Sequence, residues 1–292
     1  MQTLCRIAIL VNALLLARAE AAPMIHRTTG TIDTDGETIY YENIGEGPAL
    51  VLSHGLGGNH AIWFQQVPVF AKTHRVIVWD QRGFGRSSNR GGKAGPVAAV
   101  ADLKAVLDHL GVERAHMAGQ SMGGWAVLGF ALENPGRVES LVLADTIAGI
   151  YTPEIEAHYD VYIRSVMAGP KPDDLPIGKH PALGEKFSEA DPARAFLYSQ
   201  IGSAAPPAPA TMGLTLRQTA WDSARFGQIK CPILFVVGAE DPIFPPAIVR
   251  AASTKFPGSQ VVEIPGAGHS PYFEIPDAWN DVVGKFLETV SK

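Results

Sequence analysis

Hydrophobic positions along the chain fall into two rhythms. TTGTID and ETIYYENIG are β-rich and flank Asp35-Gly36, a pair suited to a tight turn, which predicts a hairpin. ALVLSHG (Ala49–Gly55) and HRVIVWD (His74–Asp80) are short continuous apolar runs, read as buried strands, with a short helical region around Ile62 and Phe64 between them. VAAVADLKAVLDHLG (Val97–Gly111) switches to helical spacing and ends on a glycine fit to close a helix. AHMAGQ then predicts a strand, MGGWAVLGFALENP a helix stopped by Pro135, and SLVLADT (Ser140–Thr146) another strand. Alternating buried strands and helices predict an α/β fold, a mostly parallel sheet covered on both faces.

The alternation lapses between residues 150 and 229. Short helical patterns (EIEAHYDVYIRSVM, ARAFLYSQI, LTLRQTAW) and proline-rich pieces such as APPAPA replace it, and predict a helical cap over the strand ends. CPILFVVG (Cys231–Gly238) resumes the sheet. A helix over 246–256, the strand SQVVEIPG and a helix over 276–290 close the chain. The core is therefore expected to comprise residues 22–149 and 230–292.

Composition narrows the function classes. The 292 residues are 46% hydrophobic, enough for a large buried core. A net charge of −5 argues against nucleic-acid binding by bulk electrostatics. Residues 1–21 combine Arg6, an apolar run too short to span a bilayer, and small-residue triplets; they read as an export signal, with a misjudged start codon or a short anchor helix as the alternatives. Export to the periplasm or medium follows if that signal is cleaved, and a cytoplasmic location if there is none. No other segment is long and apolar enough to cross a membrane. The cysteines are Cys5, inside that segment, and Cys231, read as a small buried thiol.

The chemistry gathers at strand ends. In GQSMGG, Ser121 sits between Gly119 and Gly123 where a strand turns sharply into a helix. Such a turn strains the serine backbone and lifts Oγ above the sheet, and side chains in place of the glycines would clash. A serine hydroxyl needs a base. His269, in PGAGHSPYFE after the last strand, is the candidate, preferred to His54. Asp241, in GAEDP after its own strand, is the acid expected to orient it, with Asp145 in VLADT as the alternative. HGLGG (His54–Gly58) is suited to an oxyanion site. The N–H groups of Leu56 and Met122 are the expected donors, each worth roughly 3 kcal/mol of transition-state stabilisation. DQRGFGRS reads as a tight supporting loop tied down by Asp80 and Arg82. The spacing of the histidines and acids does not suggest a metal site, and no metal or organic cofactor is expected.

HGLGG, DQRGFGRS, GQSMGGW, LVLADT, GAEDPIFPP and GAGHSPYFEIPDAWN together resemble the α/β-hydrolase superfamily, from about Ile32 to the C-terminus and excluding the cap. The resemblance is to its small cap-bearing members: carboxylesterases, enol-lactonases, meta-cleavage-product hydrolases and cofactor-free haloperoxidases. It implies an eight-stranded sheet and a Ser121–Asp241–His269 triad. Gln120 departs from the histidine or asparagine of many relatives, and Ser270 from the tryptophan of the meta-cleavage enzymes. The expected activity is hydrolysis of a small carboxylic ester or lactone through an acyl-enzyme. A carbon–carbon bond hydrolase and a non-catalytic ligand-binding protein are the alternatives. In the cap, Tyr159, Tyr162, Met167, Phe196 and Met212 are read as packing, and Arg164 and Arg217 as a solvated face rather than a grip on a substrate carboxylate. Oligomeric state is not legible.

Overall fold

The computed structural model describes residues 24–168 and 174–290. The segment read as an export signal lies outside them. Among the described residues no helix is long and apolar enough to cross a membrane.

Eight strands form one sheet: β1 (Arg27–Thr34), β2 (Glu37–Ile44), β3 (Ala49–Ser53), β4 (Arg75–Trp79), β5 (Ala115–Gln120), β6 (Val138–Ala144), β7 (Ile233–Gly238) and β8 (Gln260–Ile264). Their order is β1-β2-β4-β3-β5-β6-β7-β8. The β1–β2 hairpin and the β2–β4 pair are antiparallel, and every other pair is parallel. Helices α1 (Val67–Phe70), α2 (Pro96–His109) and α3 (Met122–Glu133) lie in the first half of the chain. Between β6 and β7 come α4 (Pro153–Ala168), α5 (Glu185–Ala190), α6 (Pro192–Ser203) and α7 (Met212–Gln218). Helices α8 (Pro246–Ser253), α9 (Pro271–Glu274) and α10 (Pro276–Val290) follow.

The two-residue period of a strand sends alternate side chains to opposite faces. In β3, Val51 joins a core with Leu103 of α2 and Phe130 of α3, whereas Leu50 and Leu52 join a second core with Trp63, Trp279 and Phe286. Residues Met122 to Leu132 of α3 are buried on every side, which is why its sequence is apolar all round. The predicted strands lie within a few residues of their expected places. Helices α5 and α9, each of one to two turns, were not expected, because so short a run has no readable period.

Glu37 fastens β2 to the loop after β4. Its Oε1 accepts from the Gly91 N–H (2.7 Å), and its Oε2 from the Arg90 N–H (2.9 Å) and the Ser88 hydroxyl. These donors, Gly91 first, hold its carboxyl at about 2, against an ordinary 4.5. The folded value is depressed, so this stabilisation is complete above pH 4.5 and drains away as pH falls towards 2. Glu37→Gln is expected to lower stability at neutral pH and to flatten its pH dependence across that window. Denaturant midpoints from pH 7 to pH 2.5 check this.

Candidate active site

The carboxyl ends of β3, β5, β6, β7 and β8 carry the residues that matter. Strand β5 stops at Gln120, α3 starts at Met122, and Ser121 alone makes the turn at φ 49°, ψ −118°. That left-handed region costs a non-glycine residue about 1–3 kcal/mol. The surroundings hold it there. Ser121 N–H donates to the Ala144 carbonyl (2.9 Å), and its own carbonyl accepts from Gly124 N–H (2.9 Å) and the Thr146 hydroxyl (2.7 Å). A Cβ at Gly119 would lie 2.4 Å from the Gly123 carbonyl oxygen, and one at Gly123 2.1 Å from that of Ser53. The motif glycines are thus required by backbone contact. Ser121 is half-buried between fully buried neighbours.

His269, buried after β8, pairs its Nδ1 with Asp241 Oδ2 at 2.8 Å. Asp241 Oδ1 accepts from the N–H groups of Ile243 (2.7 Å) and Phe244 (3.0 Å). With a carboxylate facing Nδ1, the proton of the neutral ring sits on Nδ1 and Nε2 is left as the basic nitrogen. The Gln120 side-chain amide donates to the His269 carbonyl (2.9 Å), tying the histidine loop to the residue next to Ser121. The structure therefore pairs His269 with Asp241 and not with Asp145, the alternative acid. Asp145 is nevertheless close: one ligand atom each of Asp145, Asp241 and His269 fall within 4.8 Å of one another. A divalent ion could use that spacing, but His269 Nδ1 and Asp241 Oδ2 are already engaged with each other.

His54 is not available as a base. It is fully buried, its Nδ1 donates to the Gly55 carbonyl (2.8 Å) and its Nε2 accepts from Gln81 N–H (3.1 Å). Burial pushes its imidazole down, so it stays neutral. Its work is to shape the HGLGG loop, helped by the Gln81 amide on its carbonyl (2.7 Å). A Cβ on Gly55 would lie 3.2 Å from Ser121 Cβ, so this loop runs against the serine. Leu56 follows in that loop with its side chain exposed. Met122, first in α3, has no intrahelical acceptor for its N–H. The two expected oxyanion donors thus lie on segments that meet at Ser121. Beneath, Asp80 accepts from His60 N–H (2.7 Å) and Arg86 N–H (2.8 Å), while Arg82 grips Asp102 (2.6 Å) and Asp35 (3.0 Å). DQRGFGRS is the supporting loop that its sequence suggests.

The segment between β6 and β7 supplies the rest of the surroundings. From this segment Tyr159 stacks at 5.9 Å on Phe244, which follows β7 and has its ring 5.8 Å from that of His269. Tyr159 and Met212 are buried, whereas Phe196 is exposed. Arg217 pairs with Asp160 (2.6 Å) and Glu156 (3.7 Å), so it is not free to meet a substrate carboxylate. A cleft runs between Leu56, Gly57 and Gly58 on one side and His180, Tyr198 and Gly202 on the other. In it, His180 Nδ1 accepts from Ala182 N–H (3.1 Å), and burial, aided by His269, lowers its imidazole to about 4. His180 is therefore neutral at pH 7 and carries its proton on Nε2. A larger open hollow at Asp108, Gly111 and Arg137 lies at the opposite, amino end of β5 and β6 and holds no nucleophile.

Three contributors escape the sequence reading. In the sequence Gln120 stands out only as a departure from relatives. His180 has no motif around it. Glu274 accepts at Oε2 from Gly184 N–H (2.9 Å) and Gly268 N–H (3.0 Å), and at Oε1 from Ser270 N–H (3.0 Å). The signal for Glu274 was an acid four residues after a serine at a helix start. Cys231 is half-buried rather than buried, and desolvation raises its thiol to about 11, so it is an unreactive thiol.

Comparison with known proteins agrees with this fold. The family model for the alpha/beta hydrolase fold matches residues 48–276. A protein that bears the name carbamate hydrolase RutD, from Caulobacter sp. (strain K31), is 29% identical, covering 89% of this chain and 97% of its own. A thermophilic esterase from Thermogutta terrifontis superposes with a TM-score of 0.76 at 30% identity, over 91% of this chain and 100% of that one. The enol-lactonase from Burkholderia xenovorans LB400 does so with 0.71 at 26% identity, over 89% and 100%. With a family match spanning most of its length and eight strands in this order, the chain belongs to the α/β-hydrolase fold family and is a hydrolase of that fold.

Proposed function

We propose that the protein hydrolyses a small carboxylic ester or lactone through an acyl-enzyme on Ser121. The observation that carries this reading is the backbone of Ser121. A serine held at φ 49° by glycines that touch the neighbouring backbone is strain maintained for presentation of Oγ. His269 Nε2 takes the Ser121 proton as Oγ attacks the carbonyl carbon. The Leu56 and Met122 N–H groups receive the oxyanion. Asp241 holds the imidazole tautomer and balances its charge. His269 then gives the proton to the leaving alcohol, and water attacks the acyl-enzyme by the reverse route. The neutral Nε2–H of His180 offers the bound ester one fixed donor in the cleft beside Leu56.

The esterase and enol-lactonase neighbours support ester and lactone substrates, and the name of the Caulobacter relative adds carbamates to those worth testing. The test pairs labelling with turnover. A fluorophosphonate probe is expected to modify Ser121, identified by peptide mass. p-Nitrophenyl esters of graded length and a lactone are expected to turn over faster than a carbamate or a vinylogous diketone. Absence of label on Ser121 would remove the acyl-enzyme, and preference for the diketone would move the reading to carbon–carbon hydrolysis.

A further inference from the structure

Asp145 is a buried acid that the proposed hydrolysis leaves without a task. It follows the last residue of β6, has no exposed surface and sits at φ 48°. Its N–H donates to the Val236 carbonyl (2.8 Å), and its Oδ1 accepts from Gly238 N–H (2.8 Å). Among the described residues no N–H or hydroxyl group donates to its Oδ2, although that atom is buried. An ionised carboxylate with one bare, buried oxygen is costly. A second carboxylate, Asp241, within a few ångströms makes it costlier, since two like charges that close do not both form in a dry site.

Counting lone pairs says where a proton fits. A carboxylate offers about four acceptor positions. On Asp241, Oδ1 spends both of its own on Ile243 and Phe244, and Oδ2 spends one on His269. One acceptor position remains, on Oδ2. Asp145 has one oxygen with no donor. A single proton on Asp145 satisfies both.

We infer that Asp145 is held neutral and donates its Oδ2–H to Asp241 Oδ2, as a positioning residue behind the Asp241–His269 pair. Burial first, and the Asp241 charge second, push its carboxyl well above the usual range, in line with this geometry. The hydrogen bond fixes the plane of the Asp241 carboxylate so that Oδ2 faces Nδ1. It also leaves Asp145, Asp241 and a protonated His269 with no net charge at the stage when the tetrahedral intermediate forms. The catalytic part of this inference rests on the proposed Ser121 mechanism; the proton on Asp145 does not. The other ionisable groups facing this cluster are Glu274 and Tyr272 of α9, Tyr198 of α6, Tyr162 of α4, and His180.

Two variants test it in the full chain. Asp145→Asn keeps an acceptor for Gly238, supplies an N–H for Asp241 and tolerates positive φ. Asp145→Ala removes both groups. The infrared difference between wild type and D145N at pH 8 is expected to show the carbonyl stretch of one protonated carboxyl group, present only in the wild type. With a p-nitrophenyl ester, D145A is expected to lose about 10-fold in kcat, the worth of one hydrogen bond to a charged group. Its acid limb of kcat/KM should move to higher pH, because Asp241, stripped of a donor, stabilises the imidazolium more strongly. D145N should recover most of both effects. Absence of the protonated-carboxyl band would overturn the inference whatever the activities. Equal losses in D145N and D145A with an unmoved acid limb would reduce Asp145 to a fold-holding contact. A wild type with no turnover on any ester would remove the hydrolysis reading and leave the infrared result to decide the proton.

Discussion

Ser121→Ala is expected to abolish ester turnover, lowering kcat by roughly 10⁴- to 10⁶-fold while leaving the fold intact. The size of the loss follows from what the substitution leaves. The oxyanion donors, the cleft and the Asp241–His269 pair all persist, so catalysis over water survives at a low level. What disappears is the atom proposed to form the covalent bond. Alanine retains the serine Cβ, so the strained turn at φ 49° is no worse. Its stability should stay within about 1 kcal/mol of wild type. Thermal unfolding and KM, measured beside kcat, separate this from a folding defect. A variant with wild-type turnover would place the nucleophile elsewhere.

Gly123→Ala is expected to be a severely damaging single-methyl change at the site. The added carbon would lie 2.1 Å from the Ser53 carbonyl oxygen and 2.9 Å from that of His54, both backbone atoms at the end of β3. Neither can rotate away as a side chain would, so α3 and β3 must move apart. Overpacking of this kind costs about 1–3 kcal/mol. A displacement of about 1 Å between nucleophile and oxyanion donors costs on the order of 10²-fold in rate. Both effects should appear together, as a lower denaturant midpoint and a fall in kcat/KM. Gly136→Ala is the control, since nothing lies within 4 Å of its added Cβ. Wild-type behaviour in G123A would mean that the elbow and the HGLGG loop do not touch in solution.

The sheet is legible in the sequence because burial on both faces leaves continuous apolar runs such as VIVW and LFVV, bounded by glycine, aspartate or proline. The setting of Ser121 is legible for a related reason: the clash that excludes side chains from Gly119 and Gly123 is written as glycine. Strand order is not legible. Nothing in ALVLS or RVIVW says that β4 lies between β2 and β3. Contacts made by polar side chains across long chain separations are hidden as well. Gln120 meets His269 from 149 residues away. Asp145 could be noted as an acid at a strand end, but its closeness to Asp241 depends on β6 and β7 being neighbours. Periodicity reports how buried a residue is, not which residue it meets. The segment between β6 and β7 suffers most from this, since its short helices take their positions from tertiary contacts such as Arg217 with Asp160.

The carboxylate of Glu274 binds Gly184, between β6 and β7, and the loop carrying His269 with the same pair of oxygens. The segment that carries His180 and the loop that carries His269 therefore share one joint. A change elsewhere between β6 and β7 that shifts Gly184 also perturbs the carboxylate that fixes Gly268 and Ser270 on either side of the imidazole. Altering which substrates enter this hydrolase will accordingly be hard to separate from altering how fast it turns them over.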